Sequence, residues 1–245
     1  MITIYSAQNN YYQRWQCELL EYSFRKANMP GTLEPIIHED TYPYAGLNKV
    51  EDLSRWAAKD PKSTETVLVV DPDFVFAWPI ELIATSNHAF GFPLSYMEIK
   101  GKESLLRKYC KRPELFAPVG VPLFISRCDL ARIGECWWDK TQEIMADEYW
   151  NKELGWVVDM FAYCFVAAEL GISHKTPKTC TFPGDALDAP MIHYCYDTPE
   201  VDGYQWSKST YRPWDSVLQT QNCPRASQEL LQCITDCRQA HKELP

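Results

Sequence analysis

The stretch Thr66–Asp73 has the sequence Thr-Val-Leu-Val-Val-Asp-Pro-Asp, and it decides the fold class. Its first five residues are uncharged and mostly β-branched, which is typical of a strand buried on both faces of a parallel sheet. Two carboxylates, Asp71 and Asp73, follow directly. Because ligands bind beyond the carboxyl ends of the strands in an open α/β sheet, we expect both side chains at a binding crevice.

The Asp-x-Asp pair suits a divalent cation. A carboxylate placed at the end of a buried strand is costly unless a cationic group pairs with it. Hard divalent ions prefer oxygen ligands and keep positions open for substrate phosphates. The alternative is a plain turn, since Asp and Pro both favour turns.

Outward from this stretch, strand-like segments alternate with amphipathic helical ones in the first half of the chain. This alternation favours an α/β sheet with helices on both faces. Strands are predicted at 2–6, 33–37, 66–70, 74–77, 89–93, 118–126 and 191–196, helices at 11–28, 46–59, 128–146, 154–170 and 227–241, a short helix opening at Pro79, and irregular structure at 197–225. We expect one domain over residues 1–245. Within it, residues 1–80 end shortly after the Asp-x-Asp pair, 81–225 form the middle part, and 226–245 form a C-terminal helix.

Composition excludes several classes of function. The net charge of −9 makes a nucleic-acid partner a poor fit, because phosphate-backbone binding draws on Lys and Arg. An acidic enzyme can still bind a nucleoside diphosphate through a divalent cation. No signal peptide is visible, and no apolar run approaches the roughly 20 residues that span a bilayer. We expect a soluble chain without a membrane segment, cytoplasmic if it is full length and in the Golgi or ER lumen if an N-terminal anchor was removed.

The ten cysteines are dispersed without a C-x-x-C pair, so no zinc site of usual spacing is expected. Cys223, Cys233 and Cys237 cluster near the C-terminus and are candidates for a disulfide. Gly-rich phosphate loops, a G-x-S-x-G elbow and H-E-x-x-H are all missing from the sequence.

Two more residues are candidates for chemistry. His193 lies in the apolar run Met191–Tyr194, and a neutral imidazole added to an acidic pair shifts the preference from Mg²⁺ toward Mn²⁺. The alternative is a core histidine. Asp159 is the only charged residue from Gly155 to Ala168, so on a buried helix it needs a partner or a function. Its alternative is a first-turn Asp that interacts favourably with the helix dipole.

Lys208 and Lys49 are candidates for binding an anionic ligand. Lys208 lies in a loop downstream of His193, from which its ammonium group can reach a diphosphate. Lys49 lies at the start of a predicted helix, where an anion can bind. For both residues the alternative is an ordinary solvated surface lysine.

Several segments occur in a specific order: Tyr12–Cys17, Leu47–Lys49, Val67–Ile80, Leu106–Tyr109, Pro118–Gly120, Leu154–Ala168, His193-Tyr194 and Trp206–Tyr211. In this order and spacing they resemble the hydroxyproline O-arabinosyltransferase family and the related peptidyl-serine α-galactosyltransferases. The resemblance implies a GT-A fold, that is, a Rossmann-like, central, mostly parallel sheet flanked by helices. It implies that residues 1–80 are the nucleotide-binding half and 81–225 the acceptor and sugar half. It also implies a UDP-sugar donor, a divalent metal (Mn²⁺ or Mg²⁺) and retention of anomeric configuration.

The resemblance assigns roles by position. Asp71 and Asp73 fall on the metal and donor motif, with Asp71 also touching the ribose, and His193 is the third metal ligand. Asp159 falls where the family has an acidic residue facing the acceptor and the sugar, as an orienting group or a nucleophile. Lys208 falls where a basic residue follows the metal histidine.

The family pattern leaves the sugar and the acceptor open. The arabinosyltransferases tend to have Glu-Pro-Asp at the metal motif, so Asp71-Pro72-Asp73 matches the galactosyltransferases better, and Lys49 is followed by Val50 rather than Pro. The sugar is arabinofuranose, galactose or another hexose, and the acceptor is hydroxyproline or serine of a peptide, or a glycan. Two other functions stay in view: a catalytically silent GT-A-like domain that binds a glycan or protein, and a metal-dependent nucleotidyltransferase. The latter needs a triphosphate loop that Ser6–Asn10 does not supply.

Overall fold

The computed structural model describes residues 1–39, 42, 45–218 and 222–242. They fall into two compact units that interleave along the chain. The first unit contains the described residues of Met1–Gln8, Glu34–Val70 and Leu82–Pro177, and the second contains those of Asn9–Leu33, Asp71–Glu81 and Lys178 onward. The expectation of a single catalytic domain stays a prediction.

The described elements have the following bounds. The strands are β1 (Ile2–Gln8), β2 (Thr32–His38), β3 (Thr66–Val69), β4 (Phe74–Phe76), β5 (His88–Pro93), β6 (Val119–Ser126), β7 (Ser173–Lys175), β8 (Cys180–Thr181) and β9 (Met191–His193). The α-helices are α1 (Tyr11–Lys26), α2 (Ala45–Ala58), α3 (Glu103–Tyr109), α4 (Arg127–Met145), α5 (Glu148–Leu154), α6 (Val158–Glu169) and α7 (Arg225–Lys242). Short 3₁₀ turns lie at Ser95–Met97, Pro113–Leu115 and Gly155–Val157. Across the described ranges, no helix is long and apolar enough to cross a membrane.

The larger sheet has the strand order β2-β1-β3-β6-β5-β7. Strand β3 pairs in parallel with β1, β7 pairs in parallel with β5, and β6 runs antiparallel to both β3 and β5. Strands β1, β3, β5 and β7 therefore share one direction, and β6 opposes it. The expected α/β class with a mostly parallel central sheet is confirmed. As expected for a central strand, all four residues of β3 are buried.

The helices of the first unit pack closely. Helix α4 contacts both α2 and α6, and ten of the twelve residues of α6 are buried. Gly134 permits the approach of α4 to α2, because a Cβ there would lie 2.9 Å from Cβ and 3.0 Å from Cα of Ser54. Ser126 caps α4 by accepting a hydrogen bond from the Asp129 amide.

The second unit is built on the smaller sheet, in the order β4-β9-β8. Strand β9 pairs antiparallel with β4 and parallel with β8. Helix α1 packs against β4 and α7 packs against α1. The core of this unit includes Trp15, Leu19, Ile192, Tyr194 and Leu230.

Three local predictions are wrong. No helix begins at Pro79. Residues 79–84 are irregular, and the Ala84 amide donates a hydrogen bond to Oγ1 of Thr66 at 3.0 Å rather than to a helical carbonyl. The helix predicted over 154–170 starts too early: Leu154 ends α5, Gly155 turns the chain with φ 54° into a 3₁₀ turn, and the single helix that follows, α6, begins at Val158. Cys233 and Cys237 are free thiols, so no disulfide joins the C-terminal cysteines.

Candidate functional site

Strand pairing brings Asp73 and His193 together. The antiparallel register places Phe74 of β4 opposite His193 of β9, and Asp73 directly precedes Phe74. The Tyr194 amide donates to the Asp73 carbonyl at 3.0 Å, which extends the ladder beyond β9. The buried Tyr194 hydroxyl donates to the Pro72 carbonyl at 3.4 Å. The Asp-Pro-Asp segment is thus fixed by its neighbour strand.

The predicted metal ligands form one group. Ligand atoms of Asp71, Asp73 and His193 all lie within 4.8 Å of one another. Oxygen and nitrogen ligands at about 2.0–2.6 Å from a divalent ion lie up to roughly 4–5 Å apart across it. Two carboxylates and an imidazole also match the donor set expected for Mn²⁺. The residues therefore fit a divalent cation.

Asp73 is the electrostatic centre of this group. Its carboxylate lies 3.2 Å from Nε2 of His193 and 2.5 Å from Nζ of Lys208, and its side chain is 12% exposed. Burial alone raises the pKa of Asp73, but the charges of His193 and Lys208 hold it far below its ordinary value. Burial lowers the pKa of His193, but the Asp73 carboxylate outweighs it and raises that pKa to about 10. The Lys208 pKa is raised in the same way, since the attraction of Asp73 exceeds the effect of burial.

A loop anchored on an aromatic cluster holds Lys208. The Thr198 amide donates to the Trp206 carbonyl at 2.9 Å, and the Trp206 amide donates to Oγ1 of Thr198 at 2.8 Å. The Trp206 ring packs edge-on against Trp15 and Tyr194. The tryptophan two residues before Lys208 is therefore locked in the core of the second unit, which limits where the ammonium group can lie.

Sequence reasoning missed the rings that surround His193. The Phe74 ring stacks on the imidazole, with centroids 4.2 Å apart and planes 14° apart. The centroid of the Phe182 ring lies 6.1 Å from that of His193 and 5.3 Å from that of the exposed Tyr196. The uncharged segment after Asp73 was a signal for Phe74, but Phe182 lies in a segment without a recognisable pattern.

Lys49 and Asp159 lie in the first unit, whereas the metal group and Lys208 lie in the second. Both line one mainly apolar cavity, together with Val69, Gly120 and Trp137. Asp159 is 2% exposed in the first turn of α6, and its carbonyl accepts a hydrogen bond from Nε1 of Trp137 at 2.7 Å. The structure thus assembles the six predicted residues as two groups, one in each unit.

Comparison with known families identifies the family to which this sequence is similar. The model of the hydroxyproline O-arabinosyltransferase family N-terminal domain matches residues 28–176, which is more than half of the 245 residues.

Curated relatives agree with this match. A hydroxyproline O-arabinosyltransferase of Medicago truncatula is 26% identical over 228 residues, which cover 78% of this chain and 63% of the relative. One of Pisum sativum is 27% identical, with 76% and 66% covered. A peptidyl serine alpha-galactosyltransferase of Arabidopsis thaliana is 26% identical, with 88% of this chain and 32% of the relative covered. The chain thus spans slightly less than two thirds of the length of the arabinosyltransferases that it matches.

Solved structures share the fold. A glycosyltransferase involved in glycosylation of the major capsid of PBCV-1 superposes with a TM-score of 0.51 at 16% identity, covering 79% of this chain and 92% of that one. The bifunctional glycosyltransferase WbbM gives a TM-score of 0.50 at 12% identity, covering 96% and 50%. At these identities the likeness supports the fold alone, which is the expected GT-A-like α/β architecture.

Proposed function

This chain belongs to the hydroxyproline O-arabinosyltransferase family, and we propose that it is a glycosyltransferase that moves a sugar from a UDP-sugar to a hydroxyl group of a peptide or glycan. The observation that carries the proposal is the grouping of Asp71, Asp73 and His193 within 4.8 Å. A domain that only binds a partner has no need to bring two carboxylates and an imidazole to one point. The names of the relatives support arabinose or galactose as the sugar, and hydroxyproline or serine as the acceptor.

We propose that Asp71, Asp73 and His193 hold Mn²⁺, or Mg²⁺ in its place. A bound divalent ion supplies Lewis-acid neutralisation of the charge that develops on the departing diphosphate. The chain prepares this site in advance, because the pairing of β4 with β9 fixes His193 beside Asp73. Because these side chains are already in position, little free energy is lost in ordering them when the metal and the donor bind.

Lys208 completes the donor site in this proposal. Its ammonium group pairs with Asp73 and is only 21% exposed. We propose that, when a nucleoside diphosphate binds, the Lys208 ammonium turns from the carboxylate to a phosphate oxygen. A preoriented cation at the leaving group lowers the barrier, because leaving-group charge grows in the transition state.

Two residues that line the cavity of the first unit have further proposed roles. Asp159 orients the acceptor hydroxyl or stabilises positive charge on the sugar, and a covalent nucleophile is the other role that its carboxylate can fill. Lys49 binds the donor. Support comes from the family resemblance and from the placement of both residues in one cavity. The Asp159→Asn variant is expected to lower kcat while leaving the affinity for UDP unchanged.

Retention of anomeric configuration is the last part of the proposal. Attack of the acceptor hydroxyl on the face that UDP leaves gives a product with the configuration of the donor. An NMR spectrum of the first product formed tests this directly. A product of inverted configuration contradicts the proposed stereochemistry.

Calorimetric titration with UDP-, GDP- and CDP-sugars, with and without Mn²⁺, tests the donor and the metal together. We expect UDP-sugars to bind, to require the metal, and to lose affinity in Asp73→Asn. The matched control is Asp188→Asn, which breaks an exposed Asp–Lys pair with Lys178 and is expected to bind as the wild type does. If the folded protein binds none of these nucleotides, the proposal fails in favour of a silent domain that binds a glycan or protein.

A further inference from the structure

A second cavity of the first unit lies along two neighbouring strands, and none of the residues of the proposed function lines it. We call it the β5–β7 cavity, since it is lined by these strands and by the turn that precedes β5. Its volume of about 280 Å³ is room for about nine water molecules at roughly 30 Å³ each. The residues that matter for its chemistry are Ile83, Thr85, His88, Phe90, Ser173 and Lys175.

The register of β5 against β7 places the lining side chains on one face of the larger sheet. In this parallel pairing His88 lies opposite Ser173, and Phe90 lies opposite Lys175. Because side chains alternate between the two faces of a strand, His174 faces the other way. Its Nε2 lies 2.8 Å from a tyrosine hydroxyl of α6, and that tyrosine lines the cavity described above. The two cavities are therefore on opposite faces of the sheet.

A buried carboxylate holds the turn that precedes β5. Thr85 and His88 exchange two backbone hydrogen bonds, at 3.0 and 2.8 Å, around Asn87, whose φ is 64°. The Asn87 amide donates to the fully buried Asp129 carboxylate at 2.6 Å. The Asn87 side-chain oxygen accepts from Arg132 at 2.8 Å. The turn thus presents its side chains to the cavity from a fixed backbone.

Hydrogen bonding decides what His88 offers to a ligand. The Ser173 hydroxyl donates to the Asn87 carbonyl at 3.1 Å, and its oxygen lies 2.8 Å from Nδ1 of His88. Since the single hydroxyl hydrogen is already used, Nδ1–H is the donor in the second contact. Nε2 of the neutral ring is then an acceptor, and it has no partner among the described residues. This acceptor suits a hydroxyl group of a ligand better than a phosphate or sulfate oxygen.

Lys175 adds a positive charge to the same cavity. Its ammonium group forms no ion pair with any residue that the structure describes. None of the described lining residues is acidic, although the chain has a net charge of −9. An ammonium group in this setting favours a ligand with an acidic group, because charge-assisted hydrogen bonds are the stronger ones.

Apolar side chains complete the lining. Phe90 is half-buried, and Ile83 is 70% exposed. A binding site that combines apolar surface with a few polar groups orients its ligand through the polar groups. The ligand that matches this lining has one acidic group, hydroxyl groups and an apolar face.

We propose that the β5–β7 cavity binds an acidic sugar, namely a hexuronic acid unit whose carboxylate pairs with Lys175. One ring hydroxyl donates to Nε2 of His88, another hydrogen-bonds to Thr85, and the C–H face of the ring packs on Phe90. A six-membered ring with its substituents fills much of the cavity, whereas a single phosphate ion leaves most of it empty. Because this site uses neither the nucleotide nor the metal, it goes beyond the proposed function.

The test is a titration of the ¹⁵N-labelled full chain, followed by NMR, with methyl galacturonide and methyl glucuronide as probes. Nucleotide and metal are left out. We expect at least one probe to shift the amide signals of residues 88–90 and 173–175. Lys175→Gln is expected to weaken binding about tenfold, and Lys175→Arg is expected to keep most of the affinity. The matching neutral methyl glycoside, which lacks the carboxylate, is also expected to bind about tenfold more weakly.

Lys152→Gln is the matched control. Lys152 is exposed on α5 in the same unit, and it does not line the β5–β7 cavity. The substitution removes the same charge, so it separates a contact in the cavity from a change in net charge. We expect this variant to bind the uronides as the wild type does. Because both lysines are exposed, all variants are expected to unfold near the wild-type temperature.

The inference is overturned if neither uronide shifts these signals, or if Lys175→Gln binds as tightly as the wild type. Equal binding of the neutral glycoside also overturns it, and so does equally tight binding of inorganic phosphate at the same amides. Calorimetry of UDP with Mn²⁺ on the same samples keeps the two proposals apart, since Lys175→Gln is expected to bind UDP normally. A wild type that binds a uronide but not UDP defeats the proposed function alone, and the reverse result defeats only the β5–β7 cavity.

Discussion

Replacement of Asp73 by Asn distinguishes the effect of this carboxylate on metal binding from its effect on the stability of the fold. In the wild type this carboxylate contacts His193 and Lys208, whose side chains are 17% and 21% exposed. Breaking a fully buried ion pair costs about 3–5 kcal/mol. The cost here is smaller, because asparagine still offers an oxygen to Lys208 and the partly exposed ammonium can turn to water. We expect a loss of roughly 1–3 kcal/mol, or about 2–12 °C in Tm at roughly 2–4 °C per kcal/mol.

The effect of Mn²⁺ is the decisive part of this prediction. A ligand at about 100 times its Kd stabilises the folded state by about 2.7 kcal/mol, which raises the Tm of a protein of this size by roughly 5–11 °C. Thermal unfolding followed by circular dichroism, with and without saturating Mn²⁺, measures this shift. We expect it in the wild type and not in Asp73→Asn.

The exposed pair of Lys178 and Asp188 supplies the control for this experiment. Its side chains are 61% and 48% exposed, so Asp188→Asn is expected to cost under about 1 kcal/mol and to keep the full Mn²⁺ shift. If Asp73→Asn shows the same Mn²⁺ shift as the wild type, the assignment of Asp73 as a metal ligand is refuted. A wild-type protein that no divalent ion stabilises refutes the whole group.

Three further predictions follow from particular contacts. Lys208→Ala is expected to weaken UDP binding about tenfold while keeping the Mn²⁺ shift, and calorimetry showing unchanged affinity would rule out contact with the diphosphate. Gly134→Ala is expected to destabilise the fold by about 1–3 kcal/mol, because its Cβ would meet the Ser54 backbone at 3.0 Å; urea unfolding at wild-type stability would contradict this close approach. Burial lowers the pKa of His174, which contacts the Tyr163 hydroxyl, from 6.5 to about 4. The unfolded chain therefore takes up a proton first, and stability present above pH 6.5 is lost as the pH falls toward 4. His174→Gln should reduce the pH dependence of the free energy of urea unfolding between pH 6.5 and 4. An unchanged slope would contradict the lowered pKa of His174 as its cause.

The β3 strand and the Asp-Pro-Asp segment could be predicted because their signal is local. An uncharged β-branched run needs burial on both faces, and β3 is buried throughout. Helix α1 could be predicted for the same reason, since Asn10 caps it by accepting from the Gln13 amide at 2.9 Å. In such segments the periodicity and the end signals lie within a few residues of each other.

The contact between Asp73 and His193 could not be derived from spacing. It depends on the register of β4 against β9, which are more than a hundred residues apart in the chain. The family resemblance supplied His193 as a ligand where the residue pattern alone favoured a core histidine. The rings of Phe74 and Phe182 were missed because they act on His193 only through this long-range pairing.

Gly155 shows a second limit of sequence patterns. The apolar periodicity continues across 154–170, so it predicts a helix from Leu154, but Gly155 adopts a positive φ and the helix begins only at Val158. The break presents Trp156 to solvent and begins α6 just before Asp159. Periodicity records which residues are apolar and does not record where the backbone turns.

Transfer itself is the most direct test of the account. The protein is incubated with a hydroxyproline-rich peptide, a panel of UDP-sugars and either Mn²⁺ or a chelator, and the peptide is analysed by mass spectrometry. We predict addition of a single kind of sugar residue that requires Mn²⁺, is abolished in Asp73→Asn and persists in Asp188→Asn. Transfer that continues with the chelator contradicts the metal site, and no transfer to any peptide or glycan by the folded protein contradicts the proposed enzyme.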